Sequence, residues 1–361
     1  MYNVAIIGCG RISHKIAEGV AKNKDRMKLV ALCDPIEEKM YGTEKTYNKK
    51  IEKEVSLLKY KNYKEISKRN KIDIVIISTE SGYHEEIGLY FLENGVNVII
   101  EKPLAMSIEG AQGLVDIAKE NNLKLAASHQ NRFNYPIQLL KKVIKENRLG
   151  KIFNGMARIL WTRDDNYYLQ APWRGTWALD GGTLMNQCIH NIDLINWIMD
   201  DEIDTVYAQT SNYIRNIEAE DYGVIIIRYK SGKIATIEGS AIIYPKNLEE
   251  TLTITGEKGT VVIGGMAVNK INTWRVEGDN EEEYLSIDCG DPNSVYGYGH
   301  EALYRDFVDA LDENREPLVD GKAGLEAVKI VLAAYKSQKT GLPVKFDELK
   351  KFSSIEMLKK F

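Results

Sequence analysis

Two stretches of this 361-residue chain carry side chains whose types and spacing suit chemistry. The first is Gly8-Cys9-Gly10-Arg11-Ile12-Ser13. A glycine in the first place lets a chain turn sharply. One in the second lets the backbone approach a pyrophosphate at the positive end of the next helix. Ser13 stands where a third glycine is usual and is still small enough for a helix to lie close to a strand. Asp34 comes 26 residues after Gly8, at the end of the next apolar run. A carboxylate there accepts hydrogen bonds from the adenosine ribose hydroxyls and repels a 2′-phosphate, which favours NAD over NADP. Asp34 can equally cap a helix beginning near Pro35, and the two readings are compatible. Lys39 reads as part of a solvated helix face.

The second stretch is "DGGTLMNQCIHNIDLINW", residues 180 to 197. It reads as one apolar helix interrupted by Asn186, His190 and Asp193. At about 100° per residue, His190 lies about 40° from Asn186, and Asp193 and Trp197 each about 20° from it. Leu184, Cys188, Ile189, Ile192, Ile195, Ile198 and Met199 fill much of the remaining circumference. Burying three polar side chains in a row is costly unless they serve one another or face a cleft. One reading is a core histidine held by Asp193 at i+3; the other is a histidine presented to a substrate. An imidazole can take the proton of an alcohol near neutral pH and return it in reverse.

The elements that position these residues follow from hydrophobic pattern. "NVAIIGCG", "LVALCD", "IDIVIIST", "VNVIIEKP" and "LKLAAS" are short continuous apolar runs separated by amphipathic stretches. That alternation predicts a parallel sheet with helices on both faces. Residues 36 to 62 show no clear strand and read as a helix with a charged excursion. From about residue 150 the pattern changes to β-rich runs divided by Gly, Asn and Asp turns, among them "GKIFNGMARILW", "YGVIIIRY", "ETLTITG" and "GTVVIGG". They suit a mostly antiparallel sheet with one helix-covered face. Two helices, about 300 to 313 and 322 to 340, close the chain, with Gly341 as a C-cap.

Composition excludes several classes. The chain is 44% hydrophobic and 28% charged with a formal net charge of -4, so there is no basic field for nucleic acid. No apolar run is long enough to span a membrane, and the N-terminus runs from Met1 straight into a strand with nothing that reads as a leader. Cys9, Cys33, Cys188 and Cys289 lie far apart with no C-x-x-C pair, which suits reduced thiols and a cytoplasmic location. Five histidines, His14, His84, His129, His190 and His300, form no metal-ligand pattern, so no metal is expected.

At "EKPLAMS" (Glu101-Lys102-Pro103 and on) the sequence resembles the Gfo/Idh/MocA oxidoreductases. The glycine turn, "EKP", "NRF" (131 to 133), "WRGTW" (173 to 177) and Gly181-Gly182 with His190 and Asp193 fall in that family's order. The resemblance covers nearly the whole chain. It implies a Rossmann dinucleotide-binding domain over residues 1–125. An α+β substrate-binding and oligomerisation domain follows over 126–361, its last segment able to pack back on the first. The family's large sheet usually packs against another subunit, which implies a homodimer or homotetramer.

The resemblance also implies roles. His190 corresponds to the acid/base residue at the substrate hydroxyl and Lys102 to its partner, with either open as the immediate base. Glu101 is expected near the nicotinamide ribose. Ser78, Thr79 and His84 occupy the usual cofactor-adjacent loop, although a surface role for His84 stands equally. Gln130 joins the cofactor candidates, as do Trp173 and Arg174, which could cover the nicotinamide. Asn131 and Arg132 are candidates for the cleft. Arg158 and Arg163 could meet a substrate phosphate or carboxylate, or form surface ion pairs. His300 could contact substrate or cap a helix, and Tyr167 and Tyr168 could stack on a sugar or merely pack. Many family members have Asp four residues before the histidine; Asn186 departs from that and, with "LMNQ" and "YYLQAPWRGTW", resembles the branch acting on nucleotide sugars.

The leading expectation is therefore an NAD-dependent dehydrogenase of a sugar secondary hydroxyl, the 3-hydroxyl of a UDP-N-acetylhexosamine or its uronic acid. Alternatives are an inositol or simple-sugar dehydrogenase, an NAD-dependent glycoside hydrolase on the same fold, and a dinucleotide-binding regulator without turnover. The last would expect Lys102 or His190 to be lost, and both are present.

Overall fold

A computed structural model of the chain describes residues 1–66, 71–290 and 297–358. Its backbone contacts divide it into two units, residues 1–129 with 300–325, and residues 130–299 with 326 onward.

The first unit runs β1 (Tyr2–Ile7), α1 (Ser13–Lys22), β2 (Met27–Cys33), α2 (Glu37–Ile51), β3 (Leu58–Tyr60), β4 (Ile74–Ile77), α3 (His84–Glu93), β5 (Asn97–Ile100), α4 (Ile108–Glu120), β6 (Leu125–Ala127). The strands form one sheet in the order β3-β2-β1-β4-β5-β6, and every pairing is parallel. All four residues of β4 are fully buried, as a central strand covered by helices on both faces requires. The order reverses between β1 and β4, so the loops after these strands lie at the switch point where open sheets of this kind take ligands.

β3 corrects the expectation for residues 36 to 62. It is a three-residue edge strand, Leu58-Lys59-Tyr60, pairing with β2 from Ala31↔Leu58 to Cys33↔Tyr60. One buried residue and a lysine give no apolar run to recognise. α2 does match the expected helix: Met40, Thr43, Tyr47 and Asn48 are its buried stripe, at helical spacing.

The second unit contains α5 (Tyr135–Lys145), β7 (Ile152–Leu160), α6 (Asp165–Leu169), α7 (Thr183–Asn186), α8 (Ile189–Met199), β8 (Ile203–Ser211), β9 (Tyr222–Tyr229), β10 (Ile234–Ser240), β11 (Glu249–Gly256), β12 (Gly259–Gly264), β13 (Lys270–Val276) and α9 (Glu281–Leu285). α10 (Gly299–Glu313) and α11 (Gly321–Thr340) follow, then β14 (Val344–Lys345). Most of α10 and the first turn of α11 belong to the first unit. The eight strands order as β13-β12-β11-β7-β10-β9-β8-β14. Only β7 and β10 pair in parallel. Along β9, Gly223, Ile225, Ile227 and Tyr229 are buried while Val224, Ile226 and Arg228 are not, so one face is covered and the other is open. On the covered face a Cβ at Gly239 would lie 2.5 Å from the Cys188 Sγ. Glycine there is what lets the α7–α8 segment sit directly on β10.

That segment is not one helix. The Gln187 and Cys188 amides both donate to the Thr183 carbonyl at 2.9 Å, and α8 starts afresh with the Asn191 and Ile192 amides donating to the Cys188 carbonyl. The angular relation drawn between Asn186 and His190 therefore does not hold across the break. No helix among the described residues is long and apolar enough to cross a membrane.

Candidate active site

In the first unit the site is assembled by the loops after β1, β2, β4 and β5. Gly8 adopts φ +90°, and a Cβ on it would stand 2.6 Å from the Ser78 backbone, so the turn between neighbouring strands admits only glycine. Gly10 differs. A Cβ there would meet no protein atom within 4 Å, so the protein's own packing does not demand glycine at this place. The open room lies beside the first turn of α1, where backbone N–H groups point outward and a pyrophosphate approaches most closely. The turn therefore fits NAD. Arg11 is exposed and Ile12 half-buried beside it. Ser13 is buried; its hydroxyl donates to the Gly10 carbonyl at 2.7 Å and lies 2.8 Å from the Thr43 hydroxyl on α2. Its small size brings α1 against α2 and fixes the turn.

Asp34 accepts from the Cys9 amide and the Ile36 amide, each at 2.8 Å. It ties the glycine turn to the end of β2. It does not cap α2, whose N-cap is Ile36 without a side-chain bond; the contact two residues on is an Asx turn. A carboxylate has about four acceptor positions, so ribose hydroxyls still find lone pairs on it.

The Ser78 hydroxyl donates to the Gly8 carbonyl at 2.8 Å, and the Thr79 hydroxyl to the Glu80 carbonyl at 3.3 Å. His84 is not a surface residue: it is 1% exposed. Its Nδ1 lies 2.7 Å from the Pro103 carbonyl oxygen and its Nε2 3.2 Å from that of Thr79. Burial pushes its pKa down, opposed by these carbonyls and by Glu101. The ring thus joins the loop after β4 to the loop that carries Lys102, which is half-buried and precedes a cis peptide bond to Pro103.

Glu101 is buried, with the His300 Nε2 3.6 Å away. Burial works to raise its pKa, but His300, Lys102 and Ser128 outweigh that and leave it below the usual carboxylate range. His300, in the first turn of α10, faces this carboxylate.

In the second unit Gln130 and Asn131 are buried in a turn that runs to Phe133. Arg132 and Asp193 form a bidentate pair, Nε to Oδ2 at 2.8 Å and Nη2 to Oδ1 at 2.6 Å. Both oxygens of Asp193 thus face Arg132. His190, second residue of α8, is half-buried. The Asn186 amide donates to Asp180 and its Oδ1 accepts from Gln187 at 2.8 Å. Arg158 bridges Glu238 and Glu249, each at 3.0 Å, from the open face of the sheet; this is the ion-pair reading. Arg163 and Arg174 gather at Tyr167, with Trp161 and Trp173 beside them. Tyr167 and Tyr168 pack edge to face with centroids 5.1 Å apart.

Two buried carboxyls under the α7–α8 segment carried no sequence signal. Glu220 accepts from the Leu184 amide at 2.8 Å and from the Tyr335 hydroxyl at 3.0 Å, holding the start of α7. Burial pushes its pKa up to about 8. Glu250 on β11 is also pushed up to about 8 by burial, with Asn191 and Arg163 opposing. Asp180 could have been found from its place directly before two glycines.

Residues 2–129 match the family model described as the oxidoreductase family, NAD-binding Rossmann fold, and residues 141–346 its C-terminal alpha/beta domain. The chain belongs to the Gfo/Idh/MocA oxidoreductase family. It is an oxidoreductase with an NAD-binding Rossmann domain. It is similar to the WlbA dehydrogenase of Bordetella pertussis, solved in complex with NADH and UDP-GlcNAcA, at 33% identity and a TM-score of 0.87, covering 95% of this chain and 97% of that one. The corresponding enzyme of Chromobacterium violaceum, with the same two ligands, gives 33% and 0.84, covering 95% of each chain. Among curated relatives, the myo-inositol 2-dehydrogenase of Thermotoga maritima is 25% identical, covering 96% of this chain and 99% of that protein.

Proposed function

We propose that this oxidoreductase acts on the CH–OH group of a sugar carried on UDP. The group oxidised is the 3-hydroxyl of a UDP-N-acetylhexosamine or of its uronic acid. The observation that carries the reading is the likeness, over 95% of the chain, to two dehydrogenases solved with UDP-GlcNAcA. The half-buried His190, in the first turn of α8, supports it, since a buried core histidine would have no exposed surface to offer a substrate.

In this reading NAD, when bound, supplies the hydride acceptor for the carbinol carbon. His190 takes the hydroxyl proton, and Lys102 polarises the oxygen and stabilises its developing negative charge. Glu101, held ionised, accepts from a ribose hydroxyl, and Asn186 with its Asp180 partner orients the sugar. The products are a ketone, NADH and a proton. The full-length inositol dehydrogenase relative keeps free polyols as the second reading.

The test is NADH absorbance with the purified protein, NAD and a panel of UDP-sugars, inositols and free sugars. Turnover of a UDP-sugar is expected, with Lys102→Ala and His190→Ala each lowering kcat by about a hundredfold or more while NAD binding persists. Turnover of inositols alone would transfer the protein to the second reading. Near-normal rates in either variant would remove that residue from its role.

A further inference from the structure

We infer that Arg163 and Arg174, held around the ring of Tyr167, form an anion-binding subsite that takes a carboxylate or phosphate group of the substrate; the inference deepens the nucleotide-sugar reading and rests on it. Partly buried guanidinium groups usually face carboxylates. Arg26, Arg132, Arg148, Arg158, Arg215, Arg305 and Arg315 do so here. Among the described residues, no such bridge reaches Arg163 or Arg174.

Aromatic faces hold them instead. The Arg163 guanidinium carbon lies 4.7 Å from the Trp161 ring centroid and 5.3 Å from that of Tyr167. That of Arg174 lies 4.0 Å from Tyr167 and 5.5 Å from Trp173. Arg163 donates through Nε to the Gln187 Oε1 at 3.1 Å and through Nη1 to the Thr162 carbonyl at 2.7 Å. Arg174 donates through Nη1 to the Tyr167 carbonyl at 3.0 Å. A guanidinium has five N–H donors, so each is anchored by these bonds while, among the described residues, its Nη2 donates to none. Stacking attracts each cation but neutralises neither, and two like charges at one ring repel until an anion joins them.

Among the described residues, the neighbouring acids are engaged elsewhere and none forms an ion pair with either guanidinium. Asp164 accepts from the Tyr167 amide at 2.9 Å, and Asp165 pairs with Arg215 at 3.5 Å. Asp180 accepts from the Gly175 amide at 2.7 Å and from Asn186. Glu220 and Glu250 are held protonated near neutral pH by burial. Gln187 links the forks to the reacting end of the segment. Its Nε2 donates to the Asn186 Oδ1 at 2.8 Å and to the Tyr167 hydroxyl at 3.0 Å, and it stands three residues before His190. An anion on the forks is thereby joined through Gln187 to Asn186, which orients the sugar in the proposed function.

The test uses Arg163→Gln, Arg174→Gln and the double variant, each checked for fold by far-ultraviolet circular dichroism and urea unfolding. Three probes separate the two anion sources: UDP-N-acetylglucosamine has only phosphates, UDP-N-acetylglucosaminuronate adds a carboxylate, and glucuronate has the carboxylate alone. KM and kcat are read by NADH absorbance, and Kd by calorimetry with NADH present. Each single variant should raise KM or Kd for its anion by about tenfold or more, the loss of one or two charged hydrogen bonds, with the fold unchanged. A rise confined to the uronates identifies the carboxylate; an equal rise for both UDP-sugars identifies the phosphates. Unchanged KM and Kd for all three probes in a folded double variant overturns the inference even if the wild type oxidises UDP-sugars. If the wild type oxidises none of them, the nucleotide-sugar reading fails by itself. Calorimetry then decides the subsite: binding of any of the three probes that the double variant loses supports it, and binding that is absent or unaffected overturns it.

Discussion

Replacing Asp193 with alanine separates a structural role for this carboxylate from a catalytic one. Its side chain is 1% exposed and that of Arg132 8%, so water screens the pair very little. Removing one partner of such a buried pair costs about 3–5 kcal/mol, because the other charge stays buried without compensation. A domain's total stability is about 5–15 kcal/mol, so Asp193→Ala should lose a large share of it. Arg132→Met should lose a similar amount. The double variant Arg132→Met/Asp193→Leu should lose much less than the two together, with a coupling of at least about 2 kcal/mol. Urea unfolding followed by tryptophan fluorescence reads this directly, since the Arg132 guanidinium carbon lies 5.0 Å from the Trp197 ring centroid. In parallel, Asp193→Asn should leave the pH profile of kcat/KM in place, because both carboxylate oxygens face Arg132. A loss below about 1 kcal/mol for Asp193→Ala, or a displaced acid limb in Asp193→Asn, would refute the argument.

Glu220 makes stability fall as pH rises. Burial sets its folded pKa at about 8, against about 4.3 for an unfolded glutamate. The stability it contributes is fully present below the unfolded value and is lost as pH climbs through the folded one, by up to about 1.4 kcal/mol per pH unit in between. Glu250 adds a second decline of the same sign. Glu220→Gln keeps acceptors for the Leu184 amide and the Tyr335 hydroxyl without titrating. Denaturation series from pH 5 to 8 should therefore show a slope reduced by about half; an unchanged slope would place the proton elsewhere. The open face of the eight-stranded sheet presents Met156 at 45% and Ile226 at 44% exposure, both opposite Thr236 on β10. A second copy packing there should be dispersed by Ile226→Glu, seen as a smaller sedimentation coefficient with the far-ultraviolet circular dichroism retained. Identical sedimentation of variant and wild type would move the interface off this face.

The parts of the fold legible in the sequence are those encoded by local period. Ile74–Ile77 reads as a strand buried on both faces because all four side chains are apolar, and Met40, Thr43 and Tyr47 mark one face of α2 through the alternation of neighbours around them. Edge strand β3 escapes because an edge can be half polar. The glycine turn is legible in a different way: Gly8 is demanded by φ and by the Ser78 backbone, whereas a Cβ at Gly10 would meet no protein atom within 4 Å. Sequence alone presents the two glycines alike.

What local period cannot encode is the partner of a charge. Wheel geometry puts Asp193 near His190, yet the partner that satisfies it is Arg132, 61 positions earlier. "ESGYHEE" looks solvated, yet the fold carries His84 inward between two carbonyls. The break at Gln187–Cys188 has no proline or glycine of its own. Gly239, on a strand formed some fifty residues later, lets Cys188 sit against the sheet, and Glu220 anchors the start of α7 through the Leu184 amide. Each case has the same cause: burial of a polar group is tolerable only when a specific partner arrives, and the partner arrives through the fold. Residues that hold a segment in place are for that reason harder to read from the chain than those proposed for the chemistry. Lys102 and His190 stand out by type and motif, whereas Glu220 becomes visible only as the acceptor that the start of α7 requires.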